Sequence, residues 1–140
     1  IKTLNRLEQV MLKQEAVQKQ WLEALVCDLN GQIVEGISSN CLLRINNTWV
    51  TPELRYNGVH GVMRAEILQR MQQHSIACER RQVKIDEIQT IQSLFFCNAL
   101  SPMKAVETFD LDAFQQRRLD LQPCVELFET LKLNQFKPYV

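Results

Sequence analysis

Two periodicities divide the chain. From Leu4 to Trp21, apolar residues (Leu4, Leu7, Val10, Met11, Ala16, Val17 and Trp21) recur at helical spacing, with Lys and Gln on much of the other face, which predicts an amphipathic helix. From Glu23 to Thr51 the pattern shortens and predicts a small antiparallel meander. Leu25-Val26-Cys27 reads as a strand, and Asn30-Gly31 as a tight hairpin because both residues tolerate positive φ; Ile33 to Gly36 reads as the returning partner. Cys41 to Ile45 and Trp49 to Thr51 make a further pair across Asn46-Asn47. Pro52 lacks an N–H and is expected to end the ladder.

Pro52 to His60 has no pattern and is expected to be a loop. A helix is predicted from about Gly61 to His74, burying Val62, Ile67, Leu68 and Met71. Cys78 to Val83 reads as a largely polar strand, and Asp86 as the cap of a short helix through Ile91. The continuous apolar run Leu94-Phe95-Phe96-Cys97 predicts a strand buried on both faces and ending at Asn98. Beyond Lys104 to Phe109, helical segments around Asp112–Arg118 and Pro123–Leu133 close the chain. Strands alternating with helices indicate a mixed α/β domain.

Composition narrows the functional classes. A chain of 140 residues, 46% hydrophobic, is one domain by length. Lys+Arg and Asp+Glu are both 16, so no net field recruits nucleic acid or an anionic membrane. No apolar run approaches the roughly 20 residues that span a bilayer, and no apolar segment after Lys2 reads as a signal peptide. The five cysteines (Cys27, Cys41, Cys78, Cys97, Cys124) are scattered without a C-x-x-C pair, as expected of reduced, mostly buried thiols in a cytoplasmic protein. His60 and His74 lack the spacing of paired metal ligands. Opening on Ile1 within a patterned segment, the chain is expected to be a fragment.

Candidate chemistry concentrates in two stretches, Val34-Glu35-Gly36-Ile37-Ser38-Ser39-Asn40 and Asn57-Gly58-Val59-His60-Gly61-Val62-Met63-Arg64. The first puts a carboxylate on a short strand, and the second offers backbone N–H groups where a helix begins. Together they suit a molecule with a positive ring nitrogen at one end and a phosphate at the other. Pyridoxal phosphate is such a molecule, and Lys2 is a candidate to hold it as a Schiff base and serve as general base and acid. Glu35 is the candidate partner of the ring nitrogen. Val62 and Met63 are the candidate phosphate binders through main-chain amides, with Gly58 and Gly61 permitting close approach. Asn98 offers a further phosphate hydrogen bond, and Val59 a ring-packing side chain. Taken singly, each has a plainer reading: a solvated lysine, an edge carboxylate, a turn, a turn cap.

The joint pattern is more specific. Ile1-Lys2-Thr3-Leu4-Asn5-Arg6-Leu7, Glu35-Gly36 with Ser39-Asn40, Gly58-Val59 with Gly61-Val62-Met63-Arg64, and Cys97-Asn98-Ala99-Leu100 with Pro102 occur in order and spacing. In these it resembles the fold-type-IV pyridoxal-phosphate enzymes, most closely the 4-amino-4-deoxychorismate lyases. The resemblance implies the C-terminal domain of a D-amino-acid aminotransferase-like fold, a mixed sheet or pseudo-barrel flanked by helices, spanning residues 1–140 and lacking the smaller N-terminal domain. It implies Lys2 as the cofactor-linked catalytic residue, Glu35 at the pyridinium nitrogen, and Val62, Met63 and Asn98 at the phosphate. Val59 would lie on the ring, with Asn40 behind these residues. A homodimer acting on 4-amino-4-deoxychorismate is also implied, as is a phosphate-binding arginine in the absent domain. The fragment alone is therefore expected to be inactive. Asn5 to Val10 and Cys97 to Leu100 look like lyase sequence, whereas Ser38-Ser39-Asn40 also resembles the D-amino-acid aminotransferase branch. A D-amino-acid or branched-chain aminotransferase of the same fold is one alternative, and a non-catalytic domain of this fold, kept for binding or dimerisation, is the alternative from another class.

Overall fold

The Asn46-Asn47 turn joins two strands of the largest sheet among the described residues. Both residues take positive φ, 52° and 59°, the conformation a two-residue hairpin requires and asparagine tolerates. The computed structural model describes residues 25–27, 32–36, 39–53, 61–110 and 116–135. Across the turn, β3 (Asn40–Ile45) pairs antiparallel with β4 (Thr48–Pro52), with Ile45 opposite Thr48 and Leu43 opposite Val50. The helix predicted over residues 4–21 lies outside the described residues.

The other elements are β1 (Leu25–Cys27), β2 (Gln32–Gly36), α1 (Val62–Gln73), β5 (Cys78–Arg81), β6 (Val83–Lys84), β7 (Ile91–Asn98), β8 (Ser101–Ala105), β9 (Thr108–Asp110), β10 (Gln116–Arg118) and α2 (Gln122–Thr130). The main sheet has the order β5-β4-β3-β7-β8. Every neighbouring pair in it is antiparallel except β4 with β5. A parallel pair needs a crossover, and α1 lies within it. A smaller sheet has the order β1-β2-β6, and β9 pairs with β10.

The main sheet is buried on both faces, which explains the unbroken apolar run in β7. One face places Leu42, Trp49, Phe95 and Cys97 against Met63, Ile67, Leu68 and Met71 of α1 and Cys124 and Leu127 of α2. The other places Cys41, Leu43, Ile45, Val50, Leu94 and Phe96 against Ile33 and Val83 of the smaller sheet. Arg70, in the last turn of α1, donates from Nη1 to the Leu131 carbonyl at 2.8 Å, tying the two helices together. As a cation there it also complements the helix dipole.

Five expectations are corrected. Val62 is 63% exposed rather than buried. The inward stripe of α1 is Met63, Arg64, Ile67, Leu68 and Met71, and at 3.6 residues per turn Val62 faces nearly opposite to it. The stretch from Glu23 to Thr51 is not one meander, because β1 and β2 belong to a different sheet from β3 and β4. The strand predicted over Cys78 to Val83 breaks at Gln82, and its two pieces join different sheets. Asp86 does not cap the 3-10 helix Ile85–Thr90; instead the Glu87 carboxylate accepts the Lys84 N–H at 2.9 Å while pairing with Arg81, also at 2.9 Å. Residues 116–118 form a strand, not helix, because they pair with β9. Pro52 remains within β4, opposite Arg81 of β5, and the Glu53 N–H donates to the Arg81 carbonyl at 3.0 Å.

Candidate functional site

Ser39, Asn40, Thr51, Arg64 and Ser93 are the buried polar or charged residues among those described. All but Ser93 gather where β3 begins, β4 ends and α1 starts. Asn40 opens β3 opposite Cys97 of β7. The next residue of β7, Asn98, donates from Nδ2 to Ser39 Oγ at 3.4 Å. The start of β3, the end of β7 and the mouth of α1 therefore meet at one end of the sheet.

Gly61 brings the helix mouth close. It is the N-cap of α1, with φ −79° and ψ 136°, and its carbonyl accepts the Ala65 N–H at 3.1 Å. A Cβ there would overlap the Asn40 Oδ1 and lie 3.1 Å from its Cγ. The backbone is unstrained for any residue, so it is the seat of the Asn40 side chain that favours glycine here. Gly61→Ala is expected to displace Asn40 or the helix start and cost about 1–3 kcal/mol by overpacking. A urea-unfolding midpoint equal to wild type would show that Asn40 yields freely.

The mouth of α1 has the electrostatics that favour an anion. A glycine N-cap supplies no side-chain acceptor for the N–H groups of the first turn, and no acidic residue lies in that turn. The dipole of α1 directs positive potential outward there. Arg64, the third residue of the turn, adds a full positive charge. Its Nε donates to Thr51 Oγ1 at 2.9 Å, and its Nη2 to the Pro52 carbonyl at 3.0 Å. Thr51 Oγ1 in turn donates to the Cys41 carbonyl at 3.1 Å. Burial, and secondarily the nearby Arg80 guanidinium, lower the Arg64 pKa from its ordinary value. Burial also pushes the neighbouring thiols up, Cys78 to about 11 and Cys97 to about 12, so both are protonated at neutral pH.

Of the residues singled out in the sequence, Val62 and Met63 occupy the first turn of α1, with the Met63 side chain in the core. Asn98 is divided: its Oδ1 accepts the Leu100 and Ser101 N–H groups at 2.9 and 3.0 Å, fixing the turn after β7. Its amide nitrogen is the end able to donate to an anion. Glu35 lies in β2 opposite Val26. Lys2 and Val59 lie outside the described residues. Arg64 and Thr51 were not singled out as functional. The available signal was a cation within the apolar stripe of a helix, at the dipole's positive end. Backbone N–H groups and an amide, with the charge of a nearby guanidinium and no carboxylate in the turn, are surroundings that fit a phosphate.

Comparison with known proteins gives this geometry a context. The sequence matches the amino-transferase class IV family over residues 1–108. It is similar to the 4-amino-4-deoxychorismate lyase of Pseudomonas aeruginosa, with 39% identity and a TM-score of 0.68 over 74% of this chain and 38% of that one. It is 28% identical to the D-alanine aminotransferase of Bacillus licheniformis over 110 residues, 79% of this chain and 38% of that enzyme. An aminotransferase from Brucella abortus, solved with bound pyridoxal phosphate, shares 20% identity and a TM-score of 0.73 over 86% of this chain and 43% of that one. At that identity the likeness shows the fold alone. The mixed α/β architecture expected from the sequence is the one these structures share. The chain spans less than half the length of each relative.

Proposed function

The chain belongs to the amino-transferase class IV family, and on that premise we propose that its 140 residues form the pyridoxal-phosphate-binding C-terminal domain of a 4-amino-4-deoxychorismate lyase. The observation that carries this reading is the convergence of Ser39-Asn40, the glycine-started mouth of α1 and the Asn98 amide at one sheet end. Identity of 39% to a lyase, with lyase-like sequence at Asn5 to Val10 and Cys97 to Leu100, favours that branch.

Pyridoxal phosphate, when bound, supplies an electron sink for charge developing beside the substrate nitrogen. The N–H groups of Val62 and Met63 would hold the phosphate, with the Asn98 amide assisting. Val59 would press on the ring face and keep the reacting carbon in line with Lys2. The Glu35 carboxylate would hold a proton on the ring nitrogen, the state in which the sink is strongest. The Lys2 amine would take the proton from the substrate carbon bearing the amino group. Expulsion of the enolpyruvyl ether as pyruvate leaves an aromatic ring, 4-aminobenzoate, a precursor of folate. Aromatisation supplies most of the driving force, so the protein mainly has to place one base.

A second reading, amino transfer, uses the same Lys2 and Glu35 but returns the proton to a different carbon. It is favoured by Ser38-Ser39 and by the 28% identity to D-alanine aminotransferase. Products separate the two. The full-length protein, given 4-amino-4-deoxychorismate alone, is expected to release pyruvate and 4-aminobenzoate in equal amounts. Amino transfer that requires a keto acid and yields no 4-aminobenzoate would remove the lyase reading. The proposal extends to a cytoplasmic homodimer.

A further inference from the structure

Three influences act against a charge on Arg64. It is 7% exposed, and burying a guanidinium costs several kcal/mol unless it is compensated. It sits in the first turn of α1, where the dipole opposes a cation. Among the described residues, a second cation, Arg80 of β5, opposite Thr51, acts against it. No carboxylate pairs with it among the described residues; its bonds go to the Thr51 hydroxyl and the Pro52 carbonyl, both neutral. Packing alone would be served by methionine, which continues the stripe of Met63, Ile67 and Met71 without these costs. An anion seated at the helix mouth would offset all three at once.

We infer that Arg64 is a positioning residue for the phosphate: it clamps the mouth of α1 to the end of β4 through Thr51 and Pro52, and its charge, which no carboxylate among the described residues pairs, selects an anion at the neighbouring N–H groups. The guanidinium is turned toward β4 and acts through the mouth rather than by touching the ligand's ring. This rests on the functional reading above and adds a residue to it.

The test compares two ligands in the full-length protein freed of cofactor: pyridoxal phosphate and pyridoxal, which lacks the phosphate. Binding is followed by visible absorbance. Arg64→Met is expected to weaken pyridoxal phosphate about tenfold or more and pyridoxal less than about twofold, with Arg64→Lys recovering most of the loss. Equal weakening of both ligands would mean Arg64 is structural only, and unchanged binding of both would also overturn the inference. Should Arg64→Met fail to fold, Thr51→Val removes one arm of the clamp. It is expected to weaken pyridoxal phosphate selectively by about threefold, and unselective or absent weakening would again overturn the inference. If wild type binds neither ligand, the functional reading fails by itself. Inorganic phosphate then decides: a rise in wild-type Tm that Arg64→Met (or Thr51→Val, if the first does not fold) loses would uphold the anion site, and no rise would overturn it.

Discussion

Lys2→Ala in the full-length protein is expected to abolish the visible absorption of the lysine-linked cofactor and to lower turnover by about a thousandfold or more. The lysine is asked to do two things in the proposed mechanism, hold the cofactor covalently and move the substrate proton, so its loss is not rescued by cofactor in excess. The phosphate donors of α1 remain, however. The variant is therefore expected to retain phosphate-dependent affinity for pyridoxal phosphate while losing the band and the activity. That split separates a missing base from a missing binding site. A variant spectrum and rate equal to wild type would defeat the enzyme reading and favour a non-catalytic domain of this fold.

Phe95→Ala is expected to destabilise the domain by about 3–5 kcal/mol. Phe95 is fully buried at the centre of β7, opposite Leu42 of β3. Its ring meets Trp49 edge-on, with centroids 5.4 Å apart and planes at 73°. Truncation removes this contact and leaves a cavity beneath α1, whose Met63 and Ile67 share the cluster. Cys97 and Asn98 follow on the same strand, so a loosened β7 also loosens the end that meets Ser39 and Asn40. Urea unfolding measures the loss through a lower midpoint at unchanged slope. A loss below about 1 kcal/mol would show that the core collapses around the gap.

Local signals in the sequence made much of this legible. The Asn46-Asn47 hairpin was readable because two consecutive residues tolerating positive φ leave few alternatives. The buried strand at Leu94 to Cys97 was readable because a short apolar run rich in aromatics and stopped by Asn98 suits a sheet covered on both faces. Features decided by distant partners were not readable. β10 is a strand only because Arg117 lies opposite Phe109, and the break at Gln82 exists because Cys78 to Arg81 follow β4 while Val83 turns to β2. Val62 is apolar, which suggests burial, but its helical angle sets it opposite Ile67, Leu68 and Met71. Arg64 was not legible for the opposite reason: a charge in the inward stripe contradicts the pattern, and no local signal pairs it with Thr51 and Pro52 at the end of β4. At the site, the motif order carried the cofactor reading, while the fold supplied what no motif records, the contact of Asn40 with Gly61 and of Asn98 with Ser39.

Borohydride reduction of the full-length protein incubated with pyridoxal phosphate, followed by peptide mass mapping, tests the attachment point on which the account turns. The predicted result is one pyridoxyl adduct on the peptide containing Lys2, with Lys13, Lys19, Lys84, Lys104, Lys132 and Lys137 unmodified. An adduct confined to any of those other lysines, or none at all, would contradict it.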